Sequence, residues 1–206
     1  MKFIDQLKEK AKQNKKTIVL PETLDMRTIE AAGKVLAEGI ANIILVGDKE
    51  DIMSRAGDID LSGASFVDPK NYEKFDEYVD AFVEMRRKKG MTEARAKELL
   101  LTNPLYFGCM MVKQDDADGM VAGAINASAD VLRAALQTLK TAPGTRIVSA
   151  FFLVVVPDCQ YGANGTFVFA DAGLNQSPSA SELADIAEQS AKSFELLVDE
   201  TPVVAM

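Results

Sequence analysis

The sequence predicts an α/β protein built on a mostly parallel sheet, and three observations carry that prediction. Short apolar runs alternate with segments of helical period from Thr17 to Val46, the pattern of a strand–helix–strand unit. A second apolar strand, Met120–Ala122, runs through small residues directly into a helix, as parallel strands do at a ligand-facing edge. A long apolar run, Ile147–Val156, precedes a glycine-rich turn and an alternating segment, Thr166–Phe169. With 206 residues, 48% hydrophobic and 26% charged, the chain can bury a core as one large domain or two smaller ones.

Taken in order, Phe3, Ile4, Leu7 and Ala11 recur at helical spacing, and the basic segment Lys12–Lys16 leads into a strand, Thr17–Leu20. Pro21-Glu22-Thr23 ends that strand, and Asp25 is placed to cap a helix carrying Ile29, Ala32, Val35 and Leu36 that Gly39 closes. Ala41–Val46 is the second strand, Lys49–Ala56 a short helix, and Ala64–Val67 a third strand. Asn71–Lys89 reads as one amphipathic helix, with Tyr72, Phe75, Tyr78, Val79, Phe82 and Met85 on one side. Thr92–Leu101 is the next helix. Asn103-Pro104 opens another, mostly apolar and carrying Cys109, which its surroundings mark as a core thiol. After the Asp118–Ala124 strand and its helix, Lys140–Gly144 reads as a boundary, giving expected lobes at 1–144 and 145–206. In the second, Phe151–Val156 is expected to be buried on both faces. Gly162–Gly165 supplies a turn, and Thr166–Ala170 returns antiparallel. Ser179 and Glu182 form a capping box for a helix over Glu182–Leu197, and Val203–Met206 is expected to begin a buried strand.

Charge and residue usage exclude several function classes. A net charge of −8 argues against nucleic-acid binding, so an acidic chain that handles anions must gather its cations locally. The N-terminal residues lack the apolar core of a signal peptide, and no apolar run is long enough to span a bilayer. Two cysteines make no disulfide framework and fit a reducing compartment, so a cytoplasmic protein is expected. Histidine is absent, which removes Ser-His-Asp and Cys-His catalysis and most zinc sites together.

Two stretches carry candidate chemistry. Arg86-Arg87-Lys88-Lys89-Gly90 reads as the cationic end of a helix facing its macrodipole, with Gly90 as the stop. Asn126, Ser128 and Asp130, in the turn into the helix that holds Arg133, admit two readings. One is an N-cap cluster that satisfies free N–H groups. The other is an anion pocket of helix N-terminus, hydroxyl and guanidinium, since arginine can hold phosphate bidentately. Cys159 lies in a polar loop, and without histidine nothing local lowers its pKa towards nucleophilic use. A dinucleotide fingerprint is missing, because Val19-Leu20-Pro21-Glu22-Thr23 stands where a G-x-G-x-x-G would follow the first strand.

The stretch from Ala117 to Gly173 resembles phosphate acetyltransferase, the phosphotransacetylase family, through Gly123-Ala124, Ser128 and Arg133 in a G-A-x-x-x-S-x-x-x-x-R pattern. The resemblance implies two α/β/α lobes with mostly parallel sheets and a cleft between them, similar to the isocitrate/isopropylmalate dehydrogenase-like fold, the second lobe being incomplete. It implies the reaction acetyl-CoA + phosphate ⇌ acetyl phosphate + CoA, with coenzyme A as substrate and neither metal nor redox cofactor. By the same resemblance Arg133 holds phosphate or acyl phosphate with help from Ser128, and Arg87 anchors the phosphorylated end of coenzyme A. Asn126, where related sequences often carry His, keeps a hydrogen-bond donor in the binding site, and Cys159 lines the cleft without acting as nucleophile. Asp116, Asp118 and Asp158 are available carboxylates but are not assigned as the base.

Members of the family continue past the position of Met206, and the resemblance puts their general base and a serine–arginine pair in that later portion. This chain is therefore expected to be the N-terminal part of a working enzyme, truncated or cleaved, with little or no activity alone. The family further implies a homodimer formed mainly through the second lobe. Phosphate butyryltransferase, which differs chiefly in its acyl pocket, and a non-catalytic ligand-binding or assembly fragment are the competing expectations.

Overall fold

The computed structural model describes residues 3–206. Its elements in chain order are α1 (Phe3–Gln13), β1 (Lys16–Leu20), α2 (Met26–Glu38), β2 (Ala41–Val46), α3 (Lys49–Ala56), β3 (Ser65–Val67), α4 (Phe75–Arg86), α5 (Glu93–Thr102), α6 (Pro104–Lys113), β4 (Gly119–Met120), α7 (Ser128–Thr138), β5 (Phe151–Val155), β6 (Thr166–Ala170) and α8 (Ala180–Val198). Contacts divide the chain into two compact units. One is Lys8–Lys140, and the other is Thr141–Met206 together with the residues up to Leu7.

Within Lys8–Lys140 the sheet is all parallel, in the order β3-β2-β1-β4. Registers Ile18↔Ile43 and Leu20↔Leu45 put alternate side chains on opposite faces. Leu20, Ile43 and Leu45 join Ile29, Ala32 and Ile52 of α2 and α3 in one core. Val19, Ile44 and Val46 join Tyr78, Phe82, Leu100, Phe107 and Ala134 of α4–α7 in a second core on the other face. The result is a three-layer unit with its sheet covered on both sides, which explains why the strands read as unbroken apolar runs. The chain proceeds from β1 outward to β3 and then crosses to the far side of β1 to form β4. The topological switch point therefore lies between the carboxyl ends of β1 and β4.

Short polar side chains start the helices where the sequence places them. Asp25 accepts from Arg27 N, Asp48 from Asp51 N, Thr92 from Arg95 N, and Asn103 from Leu105 N ahead of Pro104. Two elements have bounds that differ from expectation. Pro69–Asn71 is a 3₁₀ turn capped by Asp68 and Tyr72 is extended, so α4 begins only at Phe75, although Tyr72 and Phe75 still pack on the core. β4 pairs over two residues only, because after a last bond from Val121 N to Val19 O the backbone turns to a different acceptor, described below.

In Thr141–Met206, β5 and β6 form an antiparallel hairpin in register from Phe151↔Ala170 to Val155↔Thr166, and α8 packs on β6. The Ser179–Glu182 capping box is present at the start of α8. β5 is not buried on both faces: it has one strand neighbour, and Phe152 is 64% exposed. Residues 201–206 form no strand and Val203 is 96% exposed. An apolar run signals that a segment prefers burial, but a strand also needs an edge to pair with.

Candidate functional site

A cavity of about 430 Å³ opens among α4, α5, α6 and α7, lined in part by Arg86, Lys89, Arg95, Tyr106, Arg133 and Gln137. Four cations against the one lining carboxylate, Glu98, leave a local balance of +3 in a chain whose net charge is −8. Arg133 projects from the second turn of α7, half-exposed, and its Nη1 donates to Asp130 Oδ1 at 2.6 Å. The Nε of Arg86 is buried and has no hydrogen-bond partner. A buried N–H left unpaired costs about 1–3 kcal/mol, more for a charged group. Tyr106 Oη lies 3.2 Å from Gln137 Oε1 at the same wall, and burial pushes its phenol pKa up, so it stays a neutral donor.

A second feature sits at the switch point. Glu22, on the turn after β1, is 3% exposed. Its Oε2 accepts the N–H groups of Gly123 and Ala124, each at 2.6 Å. Its Oε1 accepts from Ile125 N at 3.1 Å and from Asn126 N and Nδ2, each at 2.8 Å. Gly123 holds φ at +112°, a conformation that glycine adopts without strain and that lets its N–H join the row. Consecutive N–H groups converging on one point make an anion nest, and here its anion is internal. Burial pushes the Glu22 carboxyl up, but the bonds from Asn126, Ala124 and Ile125 outweigh that and hold it down at about 2. From the other side, Arg27 Nη2 donates to Ala124 O at 2.6 Å while its guanidinium is gripped by Asp25.

The sequence-predicted residues fall in different places. Arg133 lines the cationic cavity. Arg87 does not: it stands in the 3₁₀ turn after α4, 71% exposed, in an ion pair with Glu84. Asn126 is spent on Glu22. Ser128 is the exposed first residue of α7, whose N-cap is Ala127 with no side-chain bond, so of the two readings of Asn126, Ser128 and Asp130 the capping cluster does not form. At this ligand-facing strand end the N–H groups of Gly123 to Asn126 are taken by the Glu22 carboxylate. Cys159 belongs to the other unit, partly exposed, with Sγ 3.9 Å from Tyr161 O. Cys109 is buried in α6 and its thiol is pushed up by burial.

The three weighed carboxylates have local duties or none. Asp116 takes Lys74 Nζ, Tyr78 Oη at 2.5 Å and Tyr72 Oη at 3.3 Å; burial raises its pKa, but these donors hold it below its ordinary value. Asp118 accepts Thr17 N at 2.8 Å beside Lys16, and Asp158 is exposed. Among the described residues no group of three or more His, Cys, Asp or Glu is arranged to hold a metal ion, and no helix is long and apolar enough to cross a membrane. Arg86, Arg95 and Glu22 carried no motif. Arg86 is indistinguishable from its basic neighbours in a charge run, and Glu22 meets its partners across a separation of 101 to 104 residues.

A family model described as phosphate acetyl/butaryl transferase matches residues 2–206. The phosphate acetyltransferases of Acetivibrio thermocellus and Thermoanaerobacterium thermosaccharolyticum are 53% and 52% identical over all of this chain, which spans 62% of the length of each. Among solved structures, a phosphotransacetylase from Streptococcus pyogenes superposes with a TM-score of 0.86 at 35% identity, over 97% of this chain and 59% of that one. EutD phosphotransacetylase from Staphylococcus aureus gives 0.84 at 36%, over 95% and 57%. On the match across its whole length, the chain belongs to the phosphate acetyl/butaryl transferase family.

Proposed function

We infer that this chain is the phosphate-handling part of an acyltransferase that moves an acetyl group between coenzyme A and inorganic phosphate. The observation that carries the reading is the position of Arg133, the arginine of the G-A-x-x-x-S-x-x-x-x-R pattern, in a cavity shared with Arg86, Lys89 and Arg95. Such a cavity suits an oxyanion, which guanidinium groups grip through two parallel bonds. In the proposed reaction a phosphate oxygen attacks the thioester carbonyl. The C–S bond breaks, and the thiolate leaves and takes up a proton. Arg133 orients the phosphate or acyl phosphate, Ser128 assists, and exposed Arg87 anchors the phosphorylated end of coenzyme A after exchanging Glu84 for it. Orientation and charge stabilisation supply most of the acceleration, and one base handles the thiol proton in reverse. The base and a serine–arginine pair are proposed to come from the part of the relatives that this chain does not span. No step in the scheme calls on a metal or redox cofactor.

The same proposal places the protein in the cytoplasm, in a two-lobed architecture similar to the isocitrate/isopropylmalate dehydrogenase-like fold, and as a homodimer. Apolar exposure on the hairpin, at Phe152 and Phe169, supports the last point. Butyryl transfer is the second reading, because the matched family model covers both acyl groups.

The test is CoA-dependent acetyl phosphate formation by this chain beside a version extended past Met206, each with and without Arg133→Ala, together with CoA titration. Turnover by the extended protein alone, and a loss of CoA or phosphate affinity of about tenfold to a hundredfold in Arg133→Ala, are expected from the loss of charged hydrogen bonds. Full activity of the 206-residue chain would place the base among its own carboxylates. Absence of CoA and phosphate binding in both lengths would leave a non-catalytic assembly role.

A further inference from the structure

We propose that Glu22 is a positioning residue for the anion site: by occupying the nest of residues 123–126 with its own carboxylate, it orders the loop from which α7 presents Arg133. For its effect on ligand affinity this inference rests on the reading of the cationic cavity given above.

Four structural facts converge on it. First, ladder pairing cannot order this loop. β4 ends at Met120, Val121 N makes the last bond to Val19 O at 3.0 Å, and the next N–H groups, from Gly123 to Asn126, all go to Glu22. Second, α7 has no side chain capping its start, so the geometry of its first turn is inherited from the loop before it. Third, the body of α7 is fixed separately through buried Ala134 and Thr138. Val131 also packs on the core, so the stretch left to the nest runs from Gly123 to Asp130, directly ahead of the turn that carries Arg133. Fourth, the brace acts on both backbone polarities, because Arg27 donates to the carbonyl of Ala124 while Glu22 accepts the amides around it.

Glu22 also decides where an external anion goes. Carboxyl ends of strands at a switch point are where ligands of open α/β sheets bind, and a nest of this kind suits phosphate. With the nest filled from within, a phosphate in this unit is left to side-chain cations such as those of the cavity, Arg86, Lys89, Arg95 and Arg133. The amide of Glu22→Gln cannot reproduce this arrangement, since its NH₂ would face N–H donors.

The decisive experiment compares wild type, Glu22→Gln and Glu22→Ala by hydrogen exchange, with CoA and inorganic phosphate titrated into each. The expected result is faster exchange confined to residues 123–133 in both variants, with recovery of Glu22→Ala by acetate, which replaces the deleted methylene and carboxylate. Kd for both ligands is expected to rise about tenfold, the scale of a misplaced binding group. Unchanged exchange over 123–133 in a folded variant overturns the inference, as does changed exchange with unchanged Kd. If neither Glu22 variant folds, Asn126→Ala removes one of the five bonds and must show the same exchange change on a smaller scale. If the Glu22 variants show the exchange pattern but wild type binds neither ligand, or an Arg133→Ala protein binds as wild type does, the reading of the cavity is defeated and the ordering role of Glu22 stands.

Discussion

Glu22 and Arg133 are both ionised groups held in place by the protein, yet they meet opposite conditions. Glu22 is buried and every nearby contact is a donor, so its charge is stabilised in the folded state and released only on unfolding. Its carboxyl is lowered from 4.5 to about 2, which means that it stabilises the fold fully above pH 4.5 and loses that contribution as pH falls towards 2. The urea midpoint of wild type minus that of Glu22→Gln should therefore be constant near neutrality and shrink below pH 4.5. A gap that persists unchanged in acid would show that the carboxylate form is not what matters. Arg133 is half-exposed and paired with Asp130 three residues earlier, an arrangement worth little to stability. Asp130→Asn should change stability by no more than about 1 kcal/mol, partly through the helix dipole, while phosphate binds about two- to threefold tighter because the guanidinium no longer has a competing carboxylate. Isothermal titration with phosphate checks it; weaker binding would mean that Asp130 orients the arginine. The motif made Arg133 legible. Glu22 was not, because five bonds spanning about a hundred residues leave no local pattern.

At the scale of elements, sequence signals worked wherever one or two residues set the local geometry. Asp25 and Gly39 bound α2, Asn103-Pro104 opens α6, and Ser179 with Glu182 caps α8, each through its own backbone contacts. They failed where a neighbour decides. Tyr72 keeps helical spacing with Phe75 and Tyr78, but Asp68 closes a turn ahead of it, so the apolar stripe outruns the helix. The β5–β6 hairpin shows how strictly a turn can depend on one position. Gly165 has φ of +86°, and a Cβ there would lie 2.1 Å from Val156 O, a backbone atom that cannot swing aside. Gly165→Ala should therefore cost at least about 1–3 kcal/mol in that unit and speed amide exchange across β5 and β6, leaving the parallel sheet untouched. Unaltered exchange in the hairpin would mean that the turn reorganises freely.

For the molecule as a whole, the same contrast governs stability. The parallel sheet was readable because both its faces are covered, so strand, helix and core patterns all agree. In Thr141–Met206 the apolar runs predicted burial that this chain does not supply: among the described residues the buried hydrophobic side chains there are Ala163 and Ile186, whereas Phe151, Phe152, Val155 and Phe169 stand exposed. Hydrophobic burial is the main force opposing chain entropy, so the two units must differ widely in resistance to opening. Unfolding should therefore not be two-state. In rising urea, exchange protection should disappear first across β5, β6 and α8. Amides of Val19, Ile44, Leu45 and Phe107, in fully or nearly fully covered positions of Lys8–Lys140, should hold until a second, steeper transition. Circular dichroism would then show an early loss of signal and near-UV tyrosine signals a late one, because Tyr72, Tyr78 and Tyr106 lie in the larger unit, while the fourth tyrosine, Tyr161, is 70% exposed and so adds little ordered signal. A single coincident transition by both probes would show that the two units are bound into one cooperative structure, and the exposed apolar hairpin would then have to be covered in solution.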